Sequence, residues 1–210
     1  MNHCLARVTL ICLVAAALVS TGSTATRGAF NPQTARVVVR RSWPIEPVRI
    51  VSVKTRNNAK VAFGQTFDED DDWLDGLVLT VANNYDKPVT AVTISLVFRR
   101  QTGDTRPPFA WNLHFGPSPL TAEYNQRDRN KVINVGETLE LPLTLESYAT
   151  LKRGFAETGY AESIQRVEIE VKEVGFEDGS MLYSGTLYLQ DPAHPNDPTK
   201  KIKAVRPVTY

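Results

Sequence analysis

The sequence predicts an all-β fold, an antiparallel immunoglobulin-like β-sandwich with one short helix. Short apolar alternations of period two, separated by turn residues, recur from about residue 47 to residue 190. Strict β-α-β units are few, and one stretch alone keeps helical spacing. A jelly roll or an open barrel shares this pattern and stands as the alternative.

The elements follow in order. Val48 to Lys54 is the first strand, and Lys60 to Phe63 is a candidate second. Gly76 to Ala82 and Val89 to Arg99 flank Asn83-Asn84-Tyr85-Asp86-Lys87-Pro88, the clearest hairpin of the chain. Leu77, Leu79 and Val81 share one face, as do Val92, Ile94, Leu96 and Phe98 on the return. Asn and Asp tolerate positive φ, and Pro88 fixes the entry to the second strand. Phe109, Trp111, Leu113 and Phe115 alternate with polar or small residues in a further strand with an aromatic inner face. Residues 116 to 135 form a long polar connection. A strand over Thr138 to Leu145 precedes a helix capped by Ser147, with Tyr148, Leu151 and Phe155 on one face and Gly159 at its end. Ile164 to Val174 and Met181 to Leu189 make a last hairpin through Glu177-Asp178-Gly179.

Residues 1 to 25 read as an export signal. Arg7 makes a basic start, Val8 to Val19 an apolar run, and Ser23-Thr24-Ala25 a cleavage site. That run is too short to span a bilayer, which needs ~20 apolar residues, and no second one follows. The expected product is therefore periplasmic or extracellular, with no transmembrane segment after processing. Both cysteines, Cys4 and Cys12, lie inside the signal, so the processed chain has no disulfide, thiolate metal ligand or Cys nucleophile. Ile11 before Cys12 argues against lipidation. The absence of an Asn-x-Ser/Thr sequon accords with a bacterial source.

Removing the signal leaves 23 basic and 23 acidic residues. The distribution is uneven. Residues 26–46 read as a flexible tether, basic through Arg27, Arg36, Arg40 and Arg41, in which Val37-Val38-Val39 could pair as an edge strand. Residues 191–210 read as a basic tail through Lys200, Lys201, Lys203 and Arg206, leaving residues 47–190 as an acidic sandwich. Basic ends on an acidic body are suited to touching an anionic envelope polymer.

The run Gly76-Leu-Val-Leu-Thr-Val-Ala-Asn-Asn-Tyr-Asp-Lys-Pro-Val-Thr-Ala-Val-Thr-Ile-Ser-Leu-Val-Phe98, with Gly136-Glu137-Thr138-Leu139 after it, resembles immunoglobulin-like domains of exported bacterial proteins of the FxLYD kind. The resemblance covers about 70 residues and implies a fold but no activity, because one sandwich hosts many functions. It departs at Leu96-Val97-Phe98-Arg99-Arg100, where that family ends in Leu-Tyr-Asp.

Chemical potential concentrates in Asp68-Glu69-Asp70-Asp71-Asp72-Trp73-Leu74-Asp75. Adjacent carboxylates repel unless water, lysines or a cation screens them, and Ca²⁺ takes such oxygens. An EF-hand is excluded, since Trp73 stands where its Gly is required. The calcium candidates are Asp70, Asp72 and Asp75, with Trp73 beside them as a binding aromatic; a solvated acidic loop with Trp73 in the core is the alternative. Flat faces of Trp43, Trp73 and Trp111 could stack on sugars, although their distribution favours packing. Histidines 114 and 194 stand far apart, without zinc or hydrolase motifs. Glu168 and Glu170 share a strand face, as glycosidase acids would, but read as a solvated outer face. An acidic body without an aromatic-studded basic strip excludes nucleic acid.

The sequence therefore predicts an exported, non-catalytic binding or structural module of the cell envelope or exterior, without a cofactor, whose partner is a protein or an envelope polymer. A calcium-dependent adhesion or carbohydrate-binding module is the competing reading, and a carboxylate-based hydrolase the third.

Overall fold

The computed structural model describes residues 34–204 apart from 101, 102, 127, 129, 161, 162 and 198. The expected export signal at residues 1–25 lies outside the described residues, as do residues 26–33 and 205–210. The strands are β1 (Thr34–Arg40), β2 (Val48–Lys54), β3 (Thr66–Glu69), β4 (Val78–Asn83), β5 (Val89–Phe98), β6 (Phe109–Phe115), β7 (Thr138–Pro142), β8 (Arg166–Phe176), β9 (Met181–Tyr183), β10 (Thr186–Gln190) and β11 (Lys201–Lys203), with helix α1 (Leu145–Glu157) between β7 and β8. The chain is mostly β, in two sheets, and neither closes into a barrel.

The smaller sheet has the order β2-β4-β7 and is antiparallel throughout. The larger is organised by β8. One edge of β8 pairs antiparallel with β5, which pairs onward with β6. Its other edge is divided: Arg166 to Ile169 pair with β1, and Glu173 to Gly175 pair with β9. Beyond β1 lies β3, and beyond β9 lie β10 and β11. At the division Lys172 is an extra residue, because Ile94 stands opposite Val171 and Thr93 opposite Glu173. Such a bulge bends its strand and ends regular pairing. The 41–47 segment passes beside it on the way to β2, with Trp43, Ile45 and Glu46 lining the same small cavity as Lys172 and Gly185.

One apolar cluster draws on both sheets and the helix. Ile50, Val53, Leu79 and Val81 come from the smaller sheet, Ile94, Leu96, Phe98 and Ile169 from the larger, and Leu151 and Phe155 from α1. Each such side chain contributes about 1.5–3 kcal/mol when fully buried, making this cluster the main source of stability. Phe155 meets Phe98 edge to face at 4.9 Å. The helix starts three residues before the expected cap: Thr144, in extended conformation, accepts the Ser147 amide at 3.2 Å. Its buried face is Tyr148, Leu151 and Phe155 as the spacing predicts, and Gly159 follows its end at φ 62°.

Several expectations are corrected. The chain segments of the expected Gly76–Arg99 hairpin are strands, but β4 and β5 belong to different sheets. Their connection is an arch across the core rather than a turn within a sheet. Asn83 builds it, donating to the carbonyls of Lys87 and Ile133 at 2.9 Å each and accepting the Tyr85 amide at 3.0 Å. Lys60 to Phe63 is no strand; Val61 makes one bond to the Val53 carbonyl, and pairing resumes at β3. Met181 to Leu189 is broken by Ser184 and Gly185, both at positive φ, into a tight hairpin of β9 and β10. The parallel β1–β8 pair makes the larger sheet mixed.

Residues 34–40, expected within a tether, form an interior strand. Because β1 is flanked by β3 and β8, the Val37 segment offers no open edge. Lys201 to Lys203 of the expected basic tail likewise pair with β10. The 116–135 connection holds a 3-10 turn, Ala122–Gln126, from which the buried Tyr124 hydroxyl donates to the Phe176 carbonyl at 2.6 Å.

Two outcomes test this arrangement. In native-state hydrogen exchange, the Val37 and Arg41 amides, bonded to Gln165 and Ile169 carbonyls at 2.9 Å, exchange as slowly as those of β8. A Gly116→Ala substitution places its Cβ 2.2 Å from the Thr90 carbonyl oxygen at φ +65°, and thermal melting falls by several degrees.

Candidate functional site

The acidic segment is a bracket inside the fold. Trp73 is 1% exposed and donates its indole N–H to the Ile164 carbonyl at 2.7 Å, with Phe67 against its edge at 5.4 Å. Buried in that way, it offers no face to a ligand, so its expected binding role is replaced by a core role. Asp72 accepts the Tyr148 hydroxyl at 2.7 Å and the Lys152 ammonium at 2.8 Å, both from α1. Asp75 pairs with Arg56, and Asp70 accepts the Asp72 amide at 3.0 Å. The three candidate calcium ligands are thus turned to separate protein partners. Among the described residues, no three His, Cys, Asp or Glu side chains converge as metal ligands do.

Asp71 and Glu69, the intervening acids, have the more consequential partners. Arg36 of β1 is 0% exposed and donates to Asp71 at 2.7 Å, to Ser163 Oγ at 2.8 Å and to the carbonyls of Ile164 and Asp70 at 2.9 and 3.1 Å. Ser163 in turn donates to Asp71 at 2.7 Å, and these hydrogen bonds, Ser163's first, hold that carboxyl below its usual range. Glu69 is buried without a cation. Burial pushes its pKa up, but donors from Thr55, Asn57 and Asn58 outweigh that and leave it lowered.

The outer face of β8 is also more buried than the alternation implies. Glu168, Glu170 and Glu173 are all buried rather than solvated. Arg41 lies 3.9 Å from Glu168 and 3.3 Å from Glu170, so this expected tether arginine pairs within the fold. Arg40 pairs with Glu46 in the same way. Burial raises the pKa of Glu173, whose Oε1 has no hydrogen-bond partner. The cavity it borders, with Trp43 and Leu182, is about 10 Å³, room for a single water and not for a substrate.

A true groove opens at the end of the larger sheet where β5 finishes and β8 begins. It encloses about 700 Å³ and is lined by Arg99, Arg100, Asp104, Arg106, Tyr160 and Arg166 among others. The four arginines play different parts. Arg100 is structural: its guanidinium donates to the Pro107 and Thr158 carbonyls at 3.1 Å each and lies 4.9 Å from the Tyr160 ring centre. Arg106 donates to the Thr158 carbonyl at 3.2 Å and forks onto Asp104. Two cations therefore satisfy the C-terminal end of α1, where the helix dipole is negative. The Arg106 fork holds Asp104 down to a pKa of about 2.

Arg99 and Arg166 share one carboxylate and are both half-exposed, as Arg106 also is. Arg99 Nε donates to Glu168 Oε1 at 2.7 Å, and Arg166 Nη2 approaches the same oxygen at 3.3 Å. The Arg99 bond, above all, holds Glu168 below the ordinary glutamate range and raises Arg99. No described residue accepts from the terminal nitrogens of Arg99 or from Nε and Nη1 of Arg166. The wall carrying Arg166 is fixed from behind by Arg36 and Trp73 through Ser163 and Ile164. Sequence reasoning missed the groove: Arg99-Arg100 was visible as a departure from the FxLYD ending, but nothing local joins it to Arg106, Tyr160 and Arg166.

Three measurements follow from these contacts. With Asp70, Asp72 and Asp75 engaged by the protein, melting midpoints in EDTA and in millimolar Ca²⁺ coincide. Arg36→Ala lowers stability by about 3 kcal/mol in denaturant unfolding, since it strips partners from Asp71, Ser163 and two carbonyls. The lowered carboxyls of Glu69, Asp71, Asp72 and Glu168 contribute stability that is present above the unfolded carboxylate range and is lost as pH falls through their folded values. Glu173 has the opposite sign: its raised pKa disfavours folding as pH rises from the unfolded carboxylate range through the folded value. Glu173→Gln thus stabilises the protein at neutral pH in denaturant unfolding, a gain that disappears as pH falls through the unfolded carboxylate range.

Comparison with protein-family models, with curated proteins and with solved structures finds no match.

Proposed function

We propose that this chain is an exported, non-catalytic immunoglobulin-like module that binds an anionic polymer of the cell envelope or exterior through its arginine groove. The observation that carries the reading is the groove itself: among the described residues, four arginines and one aspartate line it. Clefts of this kind concentrate anions because field lines focus between low-dielectric walls. Its volume of about 700 Å³ lies within the usual range of ligand sites. Of the basic residues expected at the chain ends, Arg36, Arg40 and Arg41 are engaged in ion pairs within the fold.

Strand order supports the immunoglobulin-like assignment. A first sheet β2-β4-β7 facing a second that contains β6-β5-β8-β9 has the connectivity expected for such a sandwich, with β1, β3, β10 and β11 as additions. The FxLYD-like rhythm over residues 76–98 is consistent with that topology. Export rests on the leader at residues 1–25, and no helix among the described residues is long and apolar enough to cross a membrane.

The test is binding of the exported chain to polyphosphate and to polygalacturonate by fluorescence anisotropy. Native protein binds at low ionic strength and loses affinity as salt screens the contacts within a Debye length of ~10 Å at 0.1 M. An Arg99→Ala, Arg166→Ala double variant with an unchanged circular dichroism spectrum binds at least about tenfold more weakly. Absence of binding to both polymers at low salt overturns the reading.

A further inference from the structure

Within the groove, we infer that Arg99 and Arg166 form a clamp for a single oxyanion, a carboxylate or phosphate group repeated along the polymer, and that Glu168 is the residue that positions it. This rests on the binding-module reading above and adds which atoms bind and which geometry they require.

The argument begins with one oxygen. Glu168 Oε1 takes Arg99 Nε at 2.7 Å and Arg166 Nη2 at 3.3 Å, which brings two like-charged guanidinium groups side by side. Left alone, such a pair would separate; a carboxylate between them offsets the repulsion. Glu168 is itself buried, and the Arg99 bond, first among its contacts, keeps its pKa low, so it stays ionised at neutral pH. It takes up one donor from each arginine and leaves the terminal nitrogens of Arg99 and the Nε and Nη1 of Arg166 without an acceptor among the described residues. Both side chains are half-exposed, at 53% and 52%, so those donors remain accessible from the groove.

Arg99, held through Nε, keeps its Nη1/Nη2 fork for the paired oxygens of a carboxylate or phosphate, Arg166, held through Nη2, adds single donors, and groups already held in place lose less freedom on binding. Arg100 and Arg106 lack this property, because their donors are committed to the Thr158 and Pro107 carbonyls and to Asp104. The clamp is therefore one pair, and the other two arginines shape its surroundings.

Fork geometry and mere positive charge give opposite results in one experiment. Polyphosphate supplies the phosphate arm and polygalacturonate the carboxylate arm, both measured against the exported chain by anisotropy. Arg99→Lys and Arg166→Lys keep the charge and remove the guanidinium; each weakens binding by about tenfold, whereas Arg106→Lys does not. Glu168→Gln makes the groove more positive, so charge alone would tighten binding; the clamp requires that it weaken. Should Glu168→Gln fail to fold, the lysine variants decide the question. Binding of the lysine variants at native affinity, or tighter binding by Glu168→Gln, overturns the clamp and leaves the groove reading standing. Failure of the native chain to bind either polymer overturns both, and native binding confined to one arm assigns the oxyanion to that arm's chemistry.

Discussion

The Arg36 guanidinium is the interaction on which the arrangement of the other parts depends. It is fully buried in β1, yet its donors reach four acceptors from two distant stretches, the acidic segment at 70–71 and the β8 approach at 163–164. Burying a cation is costly unless it is paired and hydrogen-bonded. The geometry here meets that requirement by bringing together three pieces of chain that have no sequence proximity. Trp73 joins the same junction through the Ile164 carbonyl, so a polar knot and an aromatic side chain fix one backbone segment. That segment continues directly into Arg166 and the groove wall.

The acidity of residues 68–75 is then intelligible without a metal ion. Each side chain from Glu69 to Asp72 meets a different set of donors: Thr55 with two asparagines, a backbone amide, Arg36 with Ser163, and Tyr148 with Lys152. Mutual repulsion among adjacent carboxylates is dispersed into separate contacts on β1, the 55–58 turn and α1. The same principle governs the β8 face, where Arg41, Arg99 and Arg166 surround Glu168. A net charge near zero is reached by local pairing, and the groove is where pairing leaves donors over.

Much of the fold was legible in the sequence because period-two alternation marks strands directly. β2, β5, β6 and the helix face of Tyr148, Leu151 and Phe155 all lie where the apolar spacing puts them. What alternation does not encode is the neighbour. Leu79 and Val81 of β4 and Ile94 and Leu96 of β5 satisfy the same pattern whether their strands share a sheet or face each other across the core, and the arch at Asn83 decides it. β1 was hidden for a related reason: its arginines suggested a solvated tether, because partners for Arg36 and Arg40 do not show in local composition. The candidate site was illegible because its residues come from the end of β5, the 103–106 loop, the end of α1 and the start of β8, which only the topology gathers.

The parallel contact between β1 and β8 bears on when this chain can fold. Val38 lies opposite Val167, so β1, which can pair early with β3 on one edge, gains its second neighbour only when almost all the intervening sequence has been made. Long-range pairing of this type is slow, since the loop must close before any contact rewards it. The β8 edge of β1 therefore stays unpaired while residues 70–165 are synthesised. The topology itself thus withholds the finished larger sheet until the far end of the chain arrives.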